Sequence, residues 1–145
     1  EDLLEKVQQR ATRLIPDVKH LNYPERLSVL KLPTLEYRRQ RADQIQLFKI
    51  MNGLEEVKRD NLFEMNTESR TRGHKLKIRK PHCKSRTRQM TFSVRSVNDW
   101  NGLPDTAVNA SSINQFKGEL EKHWRSHPLK YSPYQRQPSQ VKRGT

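Results

Sequence analysis

Between Ser69 and Arg95 the chain carries ten basic residues and not one acidic residue. Ten cations without one anion cannot be paired within the run, and they repel one another unless a polyanion or salt neutralises them. The run must face solvent or a polyanion.

The N-terminal side reads as helices. Leu3, Leu4, Val7, Ala11, Leu14 and Ile15 recur at helical spacing and predict a helix over 1–15 with one apolar stripe, Leu14 included in the scaffold. Lys6, Gln9, Arg10 and Arg13 fall mainly on the other side. Pro16 disfavours helical geometry at Ile15 and ends the segment. Pro24 suits a first helical turn, and Leu27 with Leu30 gives a short helix over 24–30 an apolar edge. A third helix over 34–52 follows Pro33, with Leu35, Ala42, Ile45, Phe48 and Met51 as its stripe and Gly53 beyond its end. Arg38, Arg39 and Arg41 crowd its first half, where the helix dipole favours anions. An external anion is therefore expected there, with Glu36 compensating in part.

Inside the basic run, Lys75 to Arg79 alternates polar and apolar residues, a strand pattern. Arg86 to Met90 would supply its partner, making 67–91 a small basic hairpin or loop. Helical order returns over 92–101 with Val97 and Trp100, stopped by Gly102 and Pro104. A last helix over 113–125 begins after Ser112, with Gln115 placed for a capping box, and Ile113, Phe116, Leu120 and Trp124 form its stripe. From His127 the chain holds prolines among Ser, Gln and Lys, and 127–145 reads as a disordered basic tail. The expected fold is mainly α: one domain over 1–126 with four or five helices and a small central basic β-hairpin or loop.

Composition bounds the function. Lys and Arg total 29 against 16 Asp and Glu, for a net charge of +13, a field that concentrates polyanions near the surface. Hydrophobic residues are 32% of 145 residues, so the core is thin for the length. Cys83 is the single cysteine, which excludes an internal disulfide and implies no oxidising compartment. No run approaches the roughly 18 apolar residues of a membrane span, and the acidic start is unlike a secretion signal. An intracellular location, nuclear or cytoplasmic, is expected. The absence of an initiator Met points to a piece of a longer chain.

Several stretches, in order, resemble one family: LEKVQQRATRLIP (4–16), LEYRRQRADQIQLFKIMNG (35–53), NTESRTRGHKLKIRKP (66–81), FSVRSVNDWNGLP (92–104) and INQFKGELEKHW (113–124). The set is similar to the C-terminal region of the endonuclease and reverse-transcriptase polyprotein of LINE-type (non-LTR) retrotransposons. The resemblance implies a region downstream of a polymerase that copies RNA into DNA at a nicked chromosomal target. It implies contact with RNA or DNA, and with the upstream reverse-transcriptase domain as a further partner. The clustered carboxylates of two-metal phosphoryl chemistry do not occur here, because the six aspartates are scattered. No catalytic residue, metal or cofactor is expected. Some relatives carry a zinc knuckle, which one cysteine cannot build.

The candidate phosphate ligands are Arg38, Arg39 and Arg41 on the third helix, and Arg70, Arg72, Lys75, Lys77, Arg79, Lys80, Lys84, Arg86, Arg88 and Arg95 of the run. Arg and Lys bind phosphate by charge-assisted hydrogen bonds that carry no base information. The competing reading of the run is a solvated loop or import signal. His74, His82 and Cys83 cluster, but a structural zinc site wants four ligands. Trp100 and Trp124 could stack on bases, yet their spacing places them in the core. Two other functions fit: a protein-docking module whose helix stripes pack on a partner, or a relic fragment of a decayed element.

Overall fold

The structure, a computed structural model, describes residues 2–67 and 72–133. It is mainly α: nine helical segments and no strand among the described residues. The chain forms two compact units rather than one. Unit 1 comprises Glu1–Arg39 with Ser126–Thr145, and unit 2 comprises Gln40–Arg125.

Unit 1 contains α1 (Asp2–Arg13), α2 (Tyr23–Leu30) and the start of α3 (Leu35–Met51). Here α1 departs from its sequence pattern. Its apolar stripe, Leu14 included, faces water, while Glu5 and Thr12 are buried. The cause is a polar network. Glu5 Oε1 accepts a hydrogen bond from Tyr23 Oη at 2.5 Å, and Glu5 Oε2 accepts one from the Leu35 amide at 3.0 Å. The first N–H groups of a helix lack internal partners and favour negative charge. Glu5 thus serves the start of α3, where Thr34 Oγ1 also accepts from the Tyr37 amide at 3.2 Å. An anion from the chain's own α1 stands where an external one was expected.

Arg26 is buried beside it. Its Nη1 donates to the Leu21 carbonyl at 2.7 Å, its Nε to Thr12 Oγ1 at 3.1 Å, and its guanidinium lies 5.4 Å from the centre of the Tyr23 ring. A cation near the end of α1 matches the negative pole of that helix. Asn22 and Glu25 form a reciprocal capping box that starts α2, and Lys31 ends it in the left-handed region at φ 52°.

The segment from His127 also departs from expectation. The Thr34 amide donates to the Lys130 carbonyl at 2.9 Å, Thr34 Oγ1 donates to the Leu129 carbonyl at 2.6 Å, and the His127 ring meets Tyr37 edge-on at 5.4 Å. These contacts hold residues 127–130 to the start of α3, where composition alone had read tail. Residues 134–145 of that tail lie outside the described residues.

Unit 2 holds the rest of α3, then α4 (Arg59–Leu62), α5 (Arg86–Gln89), α6 (Phe92–Arg95), α7 (Val97–Asn101), α8 (Asp105–Val108) and α9 (Ile113–His123). Its core stacks Phe48 on Phe116 at 4.4 Å and sets Trp100 6.2 Å from Phe116. Leu47, Val97, Ala107 and Leu120 are fully enclosed, and Trp124 is buried. Tyr37, Gln44, Leu47, Phe48 and Ile50 are the buried positions of α3, while Ala42 is exposed and Ile45 only half-buried.

The expected helix over 92–101 is two short helices that meet at Ser96. Its Oγ donates back to the Phe92 carbonyl at 2.5 Å and its carbonyl accepts from Gln44 Nε2 at 3.1 Å; such bonds compete with regular helix geometry. At α9, Ser112 Oγ accepts from the Gln115 amide at 3.1 Å as expected. The return arm differs, since Gln115 Oε1 accepts from Ser111 N and Oγ at 2.9 and 2.6 Å.

The central hairpin is corrected as well. Arg86 to Met90 is not a strand partner: Arg86–Gln89 is a helical turn. The extended residues pair instead with the chain before the run, through a single antiparallel bridge between Met65 and Ile78. The Asn66 amide donates to the Lys77 carbonyl at 2.9 Å and the Arg79 amide to the Glu64 carbonyl at 2.7 Å.

Candidate nucleic-acid interface

Within unit 2 the basic segment is tied to α7. Ile78 points its own amide and carbonyl away from the bridge, where the Asn101 side chain takes both. Asn101 Oδ1 accepts from Ile78 N at 2.9 Å and Nδ2 donates to Ile78 O at 2.8 Å. One amide side chain thereby imitates a neighbouring strand. Trp100 Nε1 donates to the Leu76 carbonyl at 2.9 Å. Trp100 is fully buried, so it is a core and anchoring residue.

His74 is buried too. Its Nδ1 accepts from the Leu76 amide at 3.1 Å, which leaves Nε2 to carry the proton toward the Trp100 carbonyl at 2.9 Å. Both ring nitrogens are thus engaged by backbone, and His74 is not grouped with His82 and Cys83. The described residues contain no group of three or more His, Cys, Asp or Glu placed to hold a metal.

Beyond Ile78 the chain turns outward. Gln89 Nε2 donates to the Cys83 carbonyl at 2.8 Å and ties α5 to the 80–85 loop. Lys80, His82, Cys83, Gln89, Arg95 and Asn98 line an open cleft of about 510 Å³ with Val94 among its walls. Gln89 and Asn98 are uncharged amides, so no charge signal in the sequence could have marked them.

Not all of the basic run is available to a ligand. Arg95 holds Asp43 bidentately, with Nε to Oδ2 at 2.8 Å and Nη2 to Oδ1 at 3.0 Å. That hydrogen bonding and the Asp43 charge raise the Arg95 pKa further above its ordinary value, against a smaller opposing effect of burial. Arg79 pairs with Glu64 at 3.1 Å, both side chains largely exposed, a pair that contributes little to stability. Lys77 Nζ donates to the Arg72 carbonyl at 2.5 Å. The run lacks acidic residues of its own, but Asp43 and Glu64 reach it from flanking chain, which reading the run in isolation missed.

No carboxylate among the described residues pairs with Arg72, Lys75, Lys80, Lys84, Arg86 or Arg88, and all six are exposed. Arg70 lies outside the described residues.

The α3 arginines are placed differently. Arg38 and Arg39 belong to unit 1 and Arg41 to unit 2. Arg38 donates from Nη2 to Gln8 Oε1 and from Nε to the Pro33 carbonyl at 3.3 Å. Arg39 lies 3.6 Å from Glu36, and Arg41 Nε bonds Glu121 Oε1 at 3.1 Å. Each has an internal partner.

No protein family, no curated protein and no solved structure matches the chain. The reading of function therefore rests on the residues and their placement. No helix of the described residues is long and apolar enough to cross a membrane.

Proposed function

We propose that this chain contacts the phosphate backbone of RNA or DNA without catalysing a reaction, as an accessory region of the kind that LINE-type retrotransposon polyproteins carry beyond their reverse-transcriptase domain. One observation carries the reading: Arg72, Lys75, Lys80, Lys84, Arg86 and Arg88 are exposed in one unit, with no carboxylate among the described residues to neutralise them. Like charges so gathered repel one another, and a polyanion relieves the repulsion while releasing its own counterions. The Asn101 clamp and the Gln89–Cys83 bond support the reading, because ligands on an ordered backbone lose less entropy on binding.

Within this reading Arg79, Arg95 and the three α3 arginines already have partners within the protein and contribute less to the ligand. The test is a fluorescence-anisotropy titration of the purified chain against labelled single-stranded RNA and duplex DNA at several salt concentrations. Affinity that falls steeply with salt supports phosphate contact. No binding at low salt, or binding indifferent to salt, refutes it.

A further inference from the structure

Building on the phosphate-contact reading, we propose that the cleft between the 80–83 loop and helices α5 to α7 receives one unstacked base of a single-stranded nucleic acid. Shape selects the ligand. A duplex groove is itself concave and is read by a helix or ribbon that protrudes into it. A concave site on the protein instead takes what protrudes from the nucleic acid, a base splayed out of a single strand. The cleft is open and measures about 510 Å³, within the range of sites that hold small ligands. It suits one nucleoside and is too small for a helix.

The chemistry of the walls agrees. They are not those of a phosphate pocket, because the guanidinium of Arg95 is spent. Its Nε and Nη2 donate to Asp43, and its Nη1 donates to the Met90 carbonyl at 2.9 Å. Lys80 is the other Lys or Arg of the lining. The unpaired Lys84 and Arg88 adjoin Cys83 and Gln89 in the chain, are exposed, and do not line the cleft. Phosphates are thus held outside it and something uncharged within. Gln89 is oriented by its bond to the Cys83 carbonyl, which leaves its Oε1 to accept. The Asn98 amide has no partner among the described residues, so it offers both a donor and an acceptor. Side-chain amides match the mixed donors and acceptors of a base edge. His82 adds a planar ring beside the apolar surface of Val94, and bases stack on histidine as on other aromatic rings.

The experiment uses the full chain and three labelled probes of equal length at one salt concentration: a single strand, the same sugar–phosphate strand without bases, and the matched duplex. Anisotropy should show the single strand bound at least about fivefold more tightly than the abasic strand, the factor that about 1 kcal/mol of stacking supplies. The double variant His82→Ala, Asn98→Ala should bring the single strand down to the abasic level. Duplex and abasic binding, and the salt slope on the abasic strand, should not change, since no Lys or Arg is removed. Its thermal melt should hold, because both side chains are exposed. Equal binding of the single and abasic strands overturns the base site and leaves phosphate contact standing. A double variant that binds the single strand like the parent also overturns it, because the base contact then lies elsewhere. A variant that weakens the abasic and single strands alike, with a flatter salt slope, overturns it in favour of a phosphate in the cleft. Failure to bind any of the three probes overturns both readings.

Discussion

Arg95 reaches from α6 to α3 and closes a two-point bond on Asp43, at 2.8 and 3.0 Å. The Asp43 side chain keeps 12% of its surface in water and the Arg95 side chain 33%. Removing the arginine would leave a poorly hydrated carboxylate without its main partner. Arg95→Gln should therefore lower unfolding free energy by about 1–3 kcal/mol, read by urea denaturation. Nucleic-acid affinity should change little, because the guanidinium is already occupied. Loss of affinity with unchanged stability would return Arg95 to the list of phosphate ligands.

The salt response should report how many free cations reach phosphate. If about five of the six unpaired residues do so, the log–log slope on duplex DNA should be roughly −4 to −5, and shallower on single strands. Replacing Lys80, Lys84, Arg86 and Arg88 by Gln should flatten that slope by up to roughly 3 to 4. Circular dichroism of the same variant should keep its helix content, since none of the four side chains is buried.

Helix α1 supplies an inverted pair of mutations. Glu5→Ala removes the acceptor of both the Tyr23 hydroxyl proton and the Leu35 amide and should cost about 1–3 kcal/mol. Leu14→Ala, in a side chain facing water, should stay within about 0.5 kcal/mol. Chemical denaturation of both variants decides it. A large loss from Leu14→Ala with none from Glu5→Ala would mean that α1 is rotated the other way. A Glu5/Tyr23 double-mutant cycle should also show coupling, because the two groups are in direct contact.

Trp100 combines a fully buried ring with a bond to the Leu76 carbonyl. Trp100→Ala should cost about 3–5 kcal/mol, a large share of the roughly 5–15 kcal/mol of a typical domain. Thermal melts and binding assays on the variant, run below its melting point, separate the roles. A variant that keeps its melt but loses nucleic acid would make Trp100 a stacking residue after all.

The course of the chain around the basic run shows where local signals stop. The alternation in Lys75 to Arg79 is a true sign of extended backbone, since the Met65–Ile78 bridge lies there. Its partner was not legible. Phe63 to Asn66 alternates over four residues only, too short a run to mark a strand, and both backbone hydrogen bonds of Ile78 go to a side chain, Asn101, that is 23 residues away. The same holds for charge. Counting cations located the run, but which of them are spoken for depended on Asp43 and Glu64, whose approach only the fold defines.

By itself the sequence determined that this protein is mainly helical, where α2, α3 and α9 lie to within one or two residues at each end, that Phe48, Trp100, Phe116 and Trp124 are core, and that a surplus of positive charge sits in its middle. These follow from periodicity, capping residues and composition, which act over a few neighbours. Only the tertiary structure decided the rotation of α1, the division into two units, the packing of residues 127–130, and the pairing of each arginine. The reason is energetic. An apolar stripe on a helix sets a preference for burial that roughly scales with area. Glu5 opposes it with directional bonds to a tyrosine and a helix end, groups that become costly if left unpaired. Residues 18 and 30 positions away in the chain set the balance, and no window on α1 contains them.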